Sequence, residues 1–413
     1  MNGDQIYLEK GFRGRLFLSA LAFAVFAAAI IDVMLPLLLT DIAKTFEVPV
    51  GTAATISSIS AIVGVVIGLL LAVLNVRFKP KSVLVAGVLC ISIAAMGSYL
   101  APSLLFMQAI YSLNGVGSVM IGATALALIG EVYPPEKKGR AVGWIVAAGF
   151  LAFSVGAPMT GLLTNFGTWR TVMLWFNLPV SIGSLLFAFA VLPSKKIEIR
   201  SKQRMPPLAG LKQALTNKSA VACLVGIMLA SATAAITTFV ISFWKYSFSM
   251  STGVGSIITM INATSAAAGG LVAGRLMNRT GRKSLGIAAG FVESIMVFLT
   301  FFLPSLALSE TVSVVRVWCY GMLSASFASL TLEQIPQFRG TMMSLRSAFL
   351  GIGSFIGITI AGTVLNTYSY QAVGIALGTI SFSSIIVILL IAKDPLRSKL
   401  GDSSPDDYSA NNG

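Results

Sequence analysis

The feature that most constrains this chain is a series of twelve apolar stretches separated by short polar segments, each close to the roughly 20 residues that a helix needs to cross a bilayer. The first six run Leu16–Thr40, Thr52–Val76, Val83–Ala101, Leu104–Gly130, Ala141–Thr164 and Thr171–Leu192; the second six run Ala220–Trp244, Gly253–Leu276, Ser284–Leu303, Val312–Leu332, Thr341–Leu365 and Gln371–Ala392. With 56% of 413 residues hydrophobic and 11% charged, a water-soluble fold would leave far more apolar surface than the polar residues could cover. The expected fold class is an all-α membrane protein: residues 1–15 as a polar N-terminus, 16–192 as one bundle of six spans, 193–219 as a basic linker, 220–392 as a second bundle and 393–413 as a polar tail. The first apolar run is too long for a signal-peptide core and is read as a permanent span.

The formal charge of +14 reports topology. Placing the N-terminus in the cytoplasm puts 25 of the 29 Lys and Arg on the cytoplasmic side and leaves Lys44, Arg170, Lys245 and Arg316 opposite, the asymmetry of the positive-inside rule. Both termini are therefore expected in the cytoplasm and the protein in the cell membrane. The linker, with Lys195, Lys196, Arg200, Lys202, Arg204, Lys212 and Lys218, is expected to lie on the anionic inner leaflet. No basic and aromatic cluster suited to stacking bases occurs, so nucleic acid is not an expected partner. The chain has no histidine, and Cys90, Cys223 and Cys319 sit in apolar runs without a second ligand nearby; neither a metal site nor a disulfide framework is expected.

The two halves align at an offset of 202 residues. Arg77 meets Arg279, Glu131 with Pro134 meets Glu333 with Pro336, and Gly149 meets Gly351. Parallel six-helix repeats place a small-molecule site near the midplane between two halves that rock against each other, which is the architecture of a transporter. A channel needs no such pair of rigid halves, and no catalytic constellation is present, so an enzyme is not expected.

Gly274 to Lys283, reading Gly-Arg-Leu-Met-Asn-Arg-Thr-Gly-Arg-Lys, resembles the cytoplasmic loop signature of the major facilitator superfamily and falls between the eighth and ninth spans, as the repeat requires. In physical terms Gly281 permits a tight turn, while Arg279, Arg282 and Lys283 can latch onto helix ends or acidic groups of a neighbouring span. The first-half copy keeps Arg77, Phe78, Lys81 and Val83, but Val76 stands where the family usually has aspartate and Lys79 where it has glycine; in the second half Asn278 replaces the aspartate. The expected cytoplasmic gate is thus Arg77, Asn278, Arg279, Gly281, Arg282 and Lys283, short of both carboxylates. Pro134 to Arg140 and the pair Trp169 and Arg170 also resemble family loops.

Asp32 lies deep in the first span among Ala27, Ala28, Ala29, Ile30 and Ile31. A carboxylate there is costly when charged, so it is a candidate for exchanging a proton as hydration changes; the competing reading is a packing hydrogen bond. Asp32-Val33-Met34-Leu35-Pro36 resembles the first-span stretch of bicyclomycin-resistance-type drug:proton antiporters, which implies a proton-carrying role for Asp32. Pro36 is expected to kink the span. In the fourth span, Asn114-Gly115-Val116-Gly117 resembles the end of the family's Arg-x-x-Gln-Gly-x-Gly motif, with Tyr111 in place of the arginine. Glu293 is the second proton-coupling candidate, and Arg316 is expected either to snorkel outward or to face the cavity. In the fifth span Gly149, Gly156, Pro158 and Gly161 are expected to hinge and pack; Gly156-Ala157-Pro158-x-x-Gly161 resembles a weakened antiporter motif.

The family places the cavity at spans one, four, seven and ten, which here offer Phe26, Tyr111, Asn114, Thr237, Phe239, Arg316 and Tyr320. Apolar and aromatic lining suits amphipathic or lipophilic cargo. No phosphate-cradling loop is present, so no cofactor is expected and the proton is the expected coupling ion. About 2.3 kcal/mol per 100 mV and about 1.4 kcal/mol per pH unit let one proton sustain a gradient of roughly 400- to 500-fold. The expectation is a proton-coupled exporter acting as a monomer. The alternatives are an uptake carrier for a small metabolite, such as a sugar or an organic acid, and a non-transporting membrane sensor.

Overall fold

The computed structural model describes residues 12–74, 79–133, 135–192 and 207–394. Fifteen α-helices build the twelve spans among these residues, because two spans are interrupted and one short helix lies outside them. The first five spans are α1 (Phe12–Thr45), α2 (Val50–Leu74), α3 (Pro80–Leu100), α4 (Leu104–Val132) and α5 (Pro135–Leu163). The sixth is α6 (Trp169–Val172), a π-helical turn (Met173–Asn177) and α7 (Leu178–Val191). Pro179 explains the π turn: it cannot donate to the carbonyl one turn back, and the ladder widens ahead of it.

The second half begins with α8 (Pro207–Thr216), a ten-residue helix within the stretch read from sequence as the basic linker. Its Gly210 sits against Phe338. The seventh span is α9 (Lys218–Thr233) and α10 (Ile236–Phe248), broken at Ala234 and Ala235. Threonines on both sides of the break bond back to the helix, Thr233 Oγ1 to the Leu229 carbonyl and Thr237 Oγ1 to the Ala234 carbonyl, which loosens the ladder there. The remaining spans are α11 (Thr252–Thr280), α12 (Arg282–Thr300), α13 (Leu306–Gln334), α14 (Arg339–Thr367) and α15 (Tyr370–Ile391). Eleven of the twelve are long and apolar enough to cross a membrane on hydropathy alone. The exception is α13, which carries Glu310, Arg316 and Glu333.

The two copies repeat in three dimensions. Ser103 accepts from Phe106 N to cap α4, and Ser305, 202 positions on, accepts from Leu308 N to cap α13. A Cβ on Gly115 of α4 would strike the Ser60 carbonyl of α2, and one on Gly321 of α13 would strike the Ala266 carbonyl of α11. Only glycine allows these backbones to approach so closely. Lys81 Nζ bonds the Phe189 and Leu192 carbonyls at the end of α7, and Lys283 Nζ bonds the Leu389 and Ala392 carbonyls at the end of α15. Each lysine thus supplies the charge that a helix C-terminus favours.

The halves meet chiefly where α1 packs on α10, α2 on α14, and α5 on α11. At the end away from the basic loops they are tied by polar contacts. Lys245 Nζ of α10 bonds the Leu37 carbonyl at 2.7 Å and Asp41 Oδ2 at 3.0 Å on α1, and Asn366 Nδ2 of α14 donates to Thr52 Oγ1 of α2 at 3.0 Å. Gly161 of α5 lets α11 approach so closely that a Cβ there would strike Ser256.

Candidate functional site

Between the halves lies a cavity of about 940 Å³. It runs from the midplane toward the end of the basic loops, where Gly68 and Leu69 of α2, Leu126 of α4 and Met343 of α14 reach its wall. The lining is mostly small and apolar, with polar groups concentrated at two places on opposite halves.

The first pole is built on α1 and α4. Asp32 is the one carboxylate of the first half, among the described residues, that lines the cavity. It lies midway along a 34-residue helix yet is exposed, so what it is exposed to is the cavity. Pro36, four residues on inside the helix, lacks the N–H that would bond the Asp32 carbonyl. Asn114 Nδ2 donates to Asp32 Oδ1 at 2.7 Å, while Asn114 Oδ1 is buried without a partner. Tyr111 donates its hydroxyl to the Ile31 carbonyl at 3.1 Å, a neutral brace that holds α4 against the turn bearing Asp32. Ser118, one turn beyond Asn114, lines the same wall and has no partner for its buried hydroxyl.

The second pole is built on α11 and α13. Arg316 is 2% exposed and lines the cavity, so it does not snorkel to the outer surface: α13 starts at Leu306, not near Val312, and Arg316 lies more than two turns inside it. Tyr320, Asn262 and Ser313 line the wall beside it. Asn262 Nδ2 donates to both Glu310 oxygens, at 3.1 and 3.2 Å, and Ser313 Oγ donates to Asn262 Oδ1 at 3.3 Å.

Of the residues expected in the cavity, Asp32, Tyr111, Asn114, Thr237, Arg316 and Tyr320 share its wall. Phe26 and Phe239 do not. Phe239 is fully buried in the apolar core, and Phe26 packs against that core; their large apolar rings gain more from burial than from facing a cavity. Glu293 is also apart from the wall, buried inside the second half, where Ser381 Oγ donates to its Oε2 and to which Ser294 is linked through Ser381. Of the fifth-span residues, Gly161 makes the close approach described above, Gly156 has ordinary contact with Ile30, and Gly149 faces open space. Gly149 is therefore no packing contact, although its counterpart Gly351 presses on Val65. Pro158 lies inside α5. At the expected gate, Gly281 has φ +85° and makes the turn between α11 and α12, Arg282 Nη1 lies 3.8 Å from Glu333, and Arg279 is exposed in the last turn of α11. Arg77 and the side chain of Asn278 lie outside the described residues.

The sequence reading missed Asn262, Glu310, Ser313 and Trp244. The repeat held the signal for Glu310 and Ser313, since Ser103 caps the fourth span and the 202-residue offset points to Ser305 as the matching cap. Trp244 reaches the cavity while its indole donates to Ser309 Oγ at 2.7 Å, a contact between distant segments that no local pattern announces.

The profile of the Major Facilitator Superfamily matches residues 21–344 and 223–407. The chain belongs to the Major Facilitator Superfamily. It is a multi-pass membrane transporter and not an enzyme. Among its relatives, a chloramphenicol resistance protein of Streptomyces lividans is 26% identical over 405 residues, covering 94% of this chain and 97% of that protein. A probable sugar efflux transporter of Pasteurella multocida is 21% identical, covering 86% of each. The fold is shared with the nucleoside transporter NupG, with a TM-score of 0.75 at 15% identity over 92% of this facilitator and 100% of that chain. It is shared as well with an inward-facing, unoccupied bacterial homologue of the lysosomal transporter Spinster, with a TM-score of 0.71 at 15% identity, covering 92% and 95%.

Proposed function

We propose that this facilitator exports small amphipathic organic compounds in exchange for protons, by alternating access of the cavity between the halves. The observation that carries the reading is Asp32, a carboxylate at mid-helix that lines the cavity and is held by Asn114. A carboxylate that faces cargo and solvent in turn can release its proton when cargo enters and regain it when cargo leaves. The mostly apolar wall suits amphipathic cargo, in line with the drug-resistance relative. With the basic loops in the cytoplasm, the cavity opens inward and the Lys245–Asp41 and Thr52–Asn366 contacts close the outer end; an exporter loads its cargo in that state. Arg279, Arg282 and Lys283 lie where an inner gate would close when the halves rock, and Gly161 and Pro158 lie on the α5 face that would move.

The test is flux in liposomes with an imposed pH gradient, using a panel of lipophilic cations, amphipathic acids, neutral drugs and sugars. The reading expects gradient-driven cargo movement that Asp32→Asn reduces to the level of protein-free liposomes. Flux that ignores the gradient and survives Asp32→Asn would make this a facilitative carrier.

A further inference from the structure

Arg316 has an unusual position for a cation. It is 2% exposed, it lines the cavity, and its Nε is buried with no hydrogen-bond partner. No carboxylate among the described residues lies within 4.0 Å of its guanidinium. A buried charge without a bonded counter-ion is costly, and the two carboxylates whose field reaches it, Glu293 and Glu310, are each held by a neutral donor instead. Asn262 holds both oxygens of Glu310, and Ser381 holds Glu293. These tethers occupy both Glu310 oxygens and one Glu293 oxygen, neither carboxylate pairs with the guanidinium, and the fork is left unpaired at the cavity wall. Tyr320 stands one turn on along the same wall. A planar guanidinium with free donors matches a carboxylate or another planar anion, which can take two parallel hydrogen bonds.

We propose that Arg316 is the docking point for an acidic group of the cargo, and that the compounds carried are amphipathic acids or zwitterions whose carboxylate-class end binds the second half while the remainder lies across the apolar cavity toward Asp32. A single cargo molecule thereby touches both halves, with the acidic end on α13 and the opposite end beside α1 and α4. This deepens the proposed function, since it rests on the cavity being the transport site, but it does not depend on proton coupling.

The test is equilibrium binding to the purified full-length protein in nanodiscs, with three probes that share one ring system: 1-naphthoic acid, the neutral 1-naphthamide and the cationic 1-naphthylmethylamine. The wild type is expected to bind the acid at least tenfold more tightly than the amide. Arg316→Gln is expected to erase that preference, Arg316→Lys to keep part of it because a point charge replaces the fork, and Gly149→Ala, away from the cavity wall, to leave it in place. Because Arg316→Gln leaves Glu293 without its cation, the double variant Arg316→Gln/Glu293→Gln serves as the folded control and is expected to lose the preference as well. Equal affinity of the wild type for acid and amide would overturn the proposal, since it would mean that Glu293 or Glu310 closes on the guanidinium. An acid preference that survives both Arg316→Gln and the double variant would overturn it too. If the acid preference follows Arg316 while flux ignores the pH gradient, the proton-coupled reading fails and this one stands.

Discussion

The two halves share a scaffold and differ in chemistry. Both cap their fourth helix with a serine, both cross that helix on a glycine, and both tie their last helix with a lysine, yet the first half presents a carboxyl group to the cavity and the second a guanidinium. Asp32 is accompanied by uncharged Asn114 and Tyr111, whereas Arg316 has two carboxylates at a distance, each engaged elsewhere. The packing contacts between helices are repeated; the polar groups on the cavity wall are not. A transporter built this way can change its cargo by altering one pole without disturbing the helix crossings.

The largest effect that would break the comparison is on transport. Asp32→Asn should remove gradient-driven flux entirely while the protein still binds cargo, whereas Arg316→Gln should weaken binding of an acidic cargo at least tenfold, so flux and binding assays on the two variants separate the poles. The next effect is on the shared scaffold. Gly115→Ala and Gly321→Ala should each destabilise their own half by about 1–3 kcal/mol through overpacking, because the added methyl group meets a backbone carbonyl. Gly149→Ala, whose Cβ would meet nothing, should not destabilise and should gain up to about 1 kcal/mol of helix propensity; thermal unfolding in detergent distinguishes the three.

A smaller effect concerns the outer ends. Lys245→Met removes a contact between α1 and α10 whose acidic partner is 40% exposed, so its loss is about 1 kcal/mol after solvent screening, a several-fold shift toward a state open at the Lys245–Asp41 end. Accessibility of single cysteines placed along the outer half of α1 would report that shift, and unchanged labelling would show that Asn366 and Thr52 carry the closure alone. The smallest effect is expected from Lys81→Met and Lys283→Met, each releasing a helix end at a cost of about 0.5–1 kcal/mol. The two should match within error if the repeat is mechanical as well as geometric.

Much of this architecture was legible in the residues because bilayer crossing imposes one length and one composition on every span. The 202-residue offset predicts both the helix starts at Ser103 and Ser305 and the paired lysines. What sequence could not supply was facing. Phe26 and Phe239 lie on the expected helices but turn into the core, since a heptad-scale pattern is erased when lipid, core and cavity are all tolerant of apolar side chains. Arg316 was readable both as a cation in a span and as a candidate for the cavity wall, but the hydropathy limit near Val312 hid the six residues that begin α13 and left snorkelling to the surface as an alternative. Interruptions were partly readable: Pro179 marks the π turn, while the break at Ala234 depends on threonine back-bonding that hydropathy does not register.

The measurement that tests the central claim most directly is proton release on cargo binding. Purified protein in weakly buffered nanodisc solution is mixed with a saturating cargo drawn from the flux panel, over a series of pH values. The account predicts that the wild type releases protons on binding within a defined pH window and that Asp32→Asn binds the same cargo and releases none. Binding without proton release by the wild type at every pH, or equal release by Asp32→Asn, would contradict it.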